Sequence, residues 1–165
     1  MDSASRAVSA MPGPLYYLET DGSALPGVRH KSRVRKSTGG AGIVLWDPAL
    51  KVVLAESIPL GPVSCGPEAE LRAVLIGLRR AKERRVERVR IRSDCLDVVR
   101  HLTGERELET AWATPFKEEL RRLLQSFESV EARWTPSSHA PERRAGVPTA
   151  DALARKAVGL GRRRG

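Results

Sequence analysis

Along this chain the hydrophobic period switches between two and 3.6, and the order of the switches leaves few folds open. Leu15–Asp21 (LYYLETD) reads as a strand that ends on a carboxylate, with Gly22 directly behind it. Ala41–Trp46 and Lys51–Ile58 read as two more strands, joined by the turn Asp47-Pro48-Ala49-Leu50. From Pro67 to about Arg85 the period is helical: Leu71, Val74, Leu75, Leu78 and Ala81 share one face, and the opposite face is basic. Glu87–Ser93 then alternates without a break, Val89 and Ile91 on one side and Arg88, Arg90 and Arg92 on the other. Asp94 opens a short helix, DCLDVVRHL. Pro115–Phe127 carries Phe116, Leu120, Leu123, Leu124 and Phe127 at helical spacing, Ser129–Thr135 is a last strand, and Thr149 caps a final helix. The resulting order, βββαβααβα, predicts an α/β fold: a mixed five-stranded sheet, an antiparallel three-strand meander plus parallel crossovers, with helices packed on it. The arginine side of Glu87–Ser93 predicts that one face of the sheet is partly open.

A length of 165 residues suits one domain with its own core. We divide the chain into a small, polar leader (1–14), expected to be disordered, a domain (15–160) and a basic tail (161–165). Lysine and arginine number 29 against 20 acids, a net charge of +9. That excess points to a polyanionic partner, nucleic acid before an anionic membrane surface. Cys65 and Cys95 form neither a disulfide framework nor a metal-ligand cluster, so free thiols are expected. No apolar run reaches transmembrane length and the N-terminus has no apolar signal core, so the expected location is the cytoplasm.

The acids are placed suggestively. Asp21 ends the first strand, Glu70 lies in the first turn of the first long helix, Asp94 follows the fourth strand, and Asp151 sits in the first turn of the last helix. Strand C-termini and helix N-termini gather at one end of such a sheet. Four carboxylates there would titrate abnormally unless a cation sat among them, and Mg²⁺, hard and oxygen-liking, suits the set. Each acid also has a plainer explanation: an Asp-Gly turn for Asp21, and for the others the ~0.3–1 kcal/mol an acid contributes at a helix N-terminus.

Together the segments TDGS (Thr20–Ser23), GGAGIVL (Gly39–Leu45), AELRAVLIGL (Ala69–Leu78), RSDC (Arg92–Cys95) and Trp134–Ala154 (W-T-P-S-S-H…T-A-D-A-L-A) resemble, in order, the type 1 ribonuclease H family, also found as the nuclease domain of reverse transcriptases. The resemblance covers Leu15 to about Val158. It implies a ribonuclease H-like fold, Asp21, Glu70, Asp94 and Asp151 as metal ligands, and His139 as the histidine of a loop that aids protonation or product release. It also implies two Mg²⁺ ions about 3.5–4 Å apart, with Mn²⁺ an alternative, Asp21 bridging them, Glu70 and Asp94 toward one and Asp151 toward the other. The implied reaction is hydrolysis of the RNA strand of RNA–DNA hybrids to 5′-phosphate and 3′-hydroxyl ends; separately, no obligate protein partner is evident in the sequence and a monomer is expected.

The chain departs from the family pattern in three places. Val147 stands where many members carry an asparagine. Arg29–Lys36 enlarges the first hairpin with Arg29, Lys31, Arg33, Arg35 and Lys36, and the acidic segment GERELETAWAT replaces a basic protrusion. The basic loop is therefore expected to track phosphates, with Gly22, Ser23, Arg90 and Arg92 completing the substrate-binding set. Trp46 and Trp134, both in strands, are read as core. Two other readings fit the same scaffold: a nuclease acting on DNA or structured RNA, and a weakly active nucleic-acid binder.

Overall fold

The computed structural model describes residues 11–27, 36–136 and 146–159. The expectations for residues 1–10, for Arg29, Lys31, Arg33 and Arg35, for His139 and for the basic tail lie outside those residues. The elements are β1 (Leu15–Leu25), β2 (Ser37–Trp46), β3 (Val52–Val63), α1 (Gly66–Glu83), β4 (Arg88–Ser93), α2 (Leu96–Leu102), α3 (Thr114–Ser126), β5 (Ser129–Trp134) and α4 (Ala150–Ala157). Their order is the predicted one. The sheet runs β3-β2-β1-β4-β5, with β1–β2 and β2–β3 antiparallel and β1–β4 and β4–β5 parallel. No helix among the described residues is long and apolar enough to cross a membrane.

The hairpin between β2 and β3 shows how local chemistry sets register. Asp47 Oδ1 accepts the amides of Ala49 and Lys51, each at 2.9 Å, and Leu50 takes the left-handed conformation that closes the turn. On one face of the sheet, α1 and α3 bury Leu18, Leu45, Leu71, Leu75, Leu78, Val89, Ile91 and Leu120 in the main core. α4 packs across β1, β2 and β3, where Leu153 joins Val44 and Trp46 in a second cluster with Tyr17, Val52 and Val147. The arginine row of β4 lies on the side of Tyr17. Arg90 Nε donates to Glu131 at 2.8 Å over the Tyr17 ring, and Arg88 donates to the Gly13 carbonyl at 3.0 Å and to Ser129 Oγ. The basic face of α1 ties neighbouring elements together, Arg79 pairing with Glu119 of α3 and Arg80 with Glu56 of β3.

Two expectations fail here. First, β1 does not end at Asp21: its ladder with β2 runs on to Leu25↔Thr38, so Asp21 and Gly22 lie inside a strand and not at a turn. Gly22 is required for a different reason, since a Cβ there would lie 2.2 Å from the Glu70 amide nitrogen. Second, Trp134 is 49% exposed, whereas Trp46 is buried as expected. β5 is a sheet edge and Trp134 is its last residue, so only part of the indole finds cover.

The backbone of α4 lies almost directly on β2. A Cβ at Gly42 would come within 1.9 Å of the Ala150 carbonyl oxygen and 2.6 Å of the Ala154 nitrogen, and at Gly40 within 2.7 Å of the Ala157 Cβ. Gly42→Ala must therefore push the helix off the sheet, and a loss of about 1–3 kcal/mol in urea unfolding is expected. Gly66→Ala, where an added Cβ meets nothing within 4 Å, is the matched control and should be neutral or slightly stabilising. Equal midpoints for Gly42→Ala and the control would refute the close contact.

Candidate functional site

The parallel ladder of β1 and β4 ends at the pair Glu19↔Arg92. Asp21 and Asp94 each stand two residues beyond that pair, so the two acids flank the point where the strands stop pairing, the place where ligand crevices form in such sheets. Glycines on either side of Asp21 bring in the other two acids. Gly22, its neighbour in sequence, lets the first turns of α1 touch β1 and delivers Glu70. Gly42 faces Asp21 across the antiparallel ladder and lets Ala150 settle over β2, which delivers Asp151.

Carboxylate oxygens of Asp21, Glu70 and Asp94 all lie within 4.8 Å of one another. Asp21 and Glu70 are buried, while Asp94 and Asp151 are exposed. Asp151 stands outside the three-acid cluster, yet its side chain reaches Asp21 from the α4 side. The structure therefore brings three of the four acids that the sequence singled out into one cluster and leaves Asp151 beside it. It corrects two details: Glu68, not Glu70, is the acid of the first turn of α1, and α2 starts at Leu96 behind Cys95, so Asp94 precedes the helix and does not open it.

The difference between Glu68 and Glu70 is chemical. Glu68 accepts the Ser64 amide and so closes the N-terminus of α1, an ordinary structural task. Among the described residues, Glu70 Oε2 is buried with no hydrogen-bond partner. A buried carboxylate oxygen left unpaired among other acids costs stability unless something positive or protic meets it. The carboxyl groups accordingly hold protons tightly. Burial, with the neighbouring Asp94 and Asp151 charges, pushes Asp21 up to about 7 against the hydrogen bond from Glu70. Burial and the Asp21 charge raise Glu70 further still. An all-oxygen, half-buried cluster of this kind fits a hard divalent cation, which would neutralise the repulsion and give Glu70 Oε2 its partner.

The scaffold around the acids contains two contributors that the sequence reading missed or misassigned. Trp134 Nε1 donates to the Asp94 carbonyl at 2.9 Å while Thr135 N donates to the Ser93 carbonyl at 3.0 Å, so the end of β5 anchors the Asp94 backbone. Glu19 accepts the Ala150 amide at 3.2 Å. Its position two residues before Asp21, hence on the same side of β1, was the available signal. Among the expected substrate contacts, Gly22 is filled by α1, Ser23 lies in β1, and Lys36 is exposed just before β2. Arg90 is engaged by Glu131 and Tyr17, and Arg92 stands across from Glu19 in the ladder. Val147, where the family often has asparagine, packs against the cluster of Val44, Trp46 and Leu153, an apolar role.

Residues 29–157 match the reverse transcriptase-like protein family, a span that begins after Asp21. No curated protein matches the chain by sequence. Among solved structures, ribonuclease H1 of the archaeon Halobacterium salinarum superposes with a TM-score of 0.71 at 22% identity, over 89% of this chain and 99% of the other. The N-terminal RNase H domain of a Mycobacterium tuberculosis protein gives 0.72 at 20% identity, over 90% and 96%. LC11-RNase H1, in complex with an RNA/DNA hybrid, gives 0.68 at 17%, over 88% and 97%.

The acid cluster makes metal-free stability depend on pH. Asp21 and Glu70 bind protons more tightly folded than unfolded, so their protonated forms favour the fold below the ordinary carboxylate pKa near 4. That contribution is lost as pH rises through about 7, where Asp21 ionises. In chelator, Tm should fall between pH 5 and pH 8, and a saturating divalent cation should flatten the fall. The same slope with and without the cation would rule out metal binding at these acids.

Proposed function

Because the chain belongs to the reverse transcriptase-like family and has the fold of the type 1 ribonucleases H, we propose that it is a metal-dependent endoribonuclease. Its proposed substrate is the RNA strand of RNA–DNA hybrids, cut to 5′-phosphate and 3′-hydroxyl ends. The observation that carries this reading is the trio of Asp21, Glu70 and Asp94 oxygens, together with a buried Glu70 Oε2 that has no partner among the described residues. A purely structural set of acids would have its buried oxygens bonded, as Glu68 does. The RNA/DNA hybrid bound by one similar structure supports the choice of substrate.

Asp21, Glu70, Asp94 and Asp151 would hold the metal, Mg²⁺ by preference and two ions per site, with Mn²⁺ the alternative. Bound there, it would supply Lewis-acid stabilisation of the scissile phosphate and an activated water. The protein's own contribution is positional. Asp21 and Glu70, walled in by β1 and α1, exclude bulk water from one side of the phosphate. Asp94 and Asp151, both exposed, leave the opposite side accessible to a duplex. His139, by its place in the motif, would assist proton transfer or product departure. A hybrid would be told from duplex DNA by its 2′-hydroxyls and groove shape rather than by base sequence.

Electrostatics favours the first hairpin as the phosphate-tracking segment. Between α2 and α3, where a basic protrusion would help, Asp97, Glu107 and Glu109 line a hollow of about 330 Å³ with Arg106. Acids there repel phosphates, which leaves the work to Arg29, Lys31, Arg33, Arg35 and Lys36. We further propose a cytoplasmic monomer.

Incubation with labelled RNA–DNA hybrid, duplex DNA and duplex RNA across a Mg²⁺ titration tests this directly; metal-dependent cutting of the hybrid's RNA strand is expected. Cleavage confined to another substrate would replace the proposal with a different nuclease. Asp21→Asn should abolish turnover while hybrid binding persists, because the basic surface supplies the affinity. Replacing the five basic residues of the loop by serine should flatten the slope of log affinity against log salt by about two units, with kcat at saturating substrate little changed. Identical slopes would show that the loop leaves the phosphates untouched.

A further inference from the structure

We propose that Glu19 is a positioning residue for the acid site: by accepting the Ala150 N–H it fixes the first turn of α4 and so holds Asp151 against Asp21. The inference rests on reading Asp151 as part of the metal-holding set. Its starting point is the geometry of β1, where Glu19 and Asp21 alternate with Thr20 and so project from the same side of the strand. On α4 the groups they meet are consecutive, the Ala150 amide for Glu19 and the Asp151 side chain for Asp21. The strand therefore grips the start of the helix at two adjacent points.

Only one of the two points attracts. Asp21 and Asp151 are both acids, so their approach does not seat the start of α4 on the sheet. The Ala150 amide belongs to the helix's unpaired first turn, at the positive end of its dipole, so the Glu19 carboxylate pulls the same turn down. Local capping cannot substitute, because the Thr149 hydroxyl is spent on the Ala152 amide within the helix and, among the described residues, binds nothing on the sheet. The glycine floor at Gly40 and Gly42 permits contact but does not attract. Ser57 Oγ, donating to the Leu153 carbonyl at 2.7 Å, anchors the helix a turn further on and leaves its first residues to Glu19. On β4, Arg92 stands in register with Glu19 at the last pair of the ladder.

The test compares wild type, Glu19→Ala and Glu19→Gln in the full chain, the glutamine keeping a carbonyl that can accept the Ala150 N–H. Mg²⁺ binding is measured by calorimetry and amide exchange of Ala150–Ala154 by NMR without metal, with Tm as the control for folding. Glu19→Ala should weaken Mg²⁺ binding about tenfold, the low end of what loss of a supporting hydrogen bond costs a metal site, and should speed exchange at Ala150. Glu19→Gln should restore most of both. Unchanged exchange and Mg²⁺ affinity in Glu19→Ala would overturn the proposal, as would a lower Tm with no change in either. Equal defects in the alanine and glutamine variants would overturn it too. If wild type binds Mg²⁺ yet cuts no hybrid, the nuclease reading fails while the Glu19 result stands; if it binds no Mg²⁺, the exchange comparison alone decides.

Discussion

Carboxylates crowded at one end of a sheet repel one another, and in a half-buried crevice that repulsion is several times what bulk water would allow. In this protein the oxygens of Asp21, Glu70 and Asp94 lie within 4.8 Å, with Asp151 reaching the first of them. The rest of the structure is arranged so that these groups cannot move apart. Each acid is carried by a different element, and each element is braced separately. Asp21 sits in the central strand, flanked by β2 and β4. Glu70 is seated by the α1 backbone against Gly22, Asp94 by the Trp134 indole on its carbonyl, and Asp151 by the first turn of α4 over Gly42. The unpartnered Glu70 oxygen marks where that bracing works against local energetics.

Close backbone approach is what lets a small domain do this. At Gly22 and Gly42 no side chain separates helix from strand, so the N-terminus of α1 settles on Gly22 of β1 and that of α4 on Gly42 of β2, on either side of Asp21. Their dipoles present positive ends toward the acids, a partial offset to the repulsion that costs no extra residue. Such contacts are stiff, because backbone cannot change rotamer to relieve a clash. The same stiffness that makes an added methyl costly at Gly42 fixes the acid positions.

The positive charge of the chain is less uniform than the total of +9 suggests. On α1, Arg79 and Arg80 are committed to Glu119 and Glu56, and on β4 Arg90 is committed to Glu131. Exposed pairs of this kind contribute little to stability, but they hold charge in place. Acids line the hollow between α2 and α3. The surface is therefore patterned, with pairs on its helices and on the arginine row.

Element order and strand and helix types were legible in the amino-acid sequence, because each depends on a periodicity, whereas the clustered acids were legible through the ordered segments that resemble ribonuclease H. Leu71, Val74, Leu75 and Leu78 had to share a helix face, and Val89 and Ile91 a strand face, whatever they packed against. Cross-element facts were not legible. Asp21-Gly22 looked like a strand end because Asp-Gly is common in turns, and only the ladder with β2 reveals a strand that continues to Leu25. Trp134 looked like core because its neighbours alternate; the sheet edge on which β5 falls decided otherwise. Glu19 looked like any strand acid until Ala150, 131 residues away, came to lie beside it. Local sequence determines dihedrals and periodicity over a few residues. Which backbone donor meets which carboxylate depends on how distant elements pack, and that was settled only when the chain closed on itself.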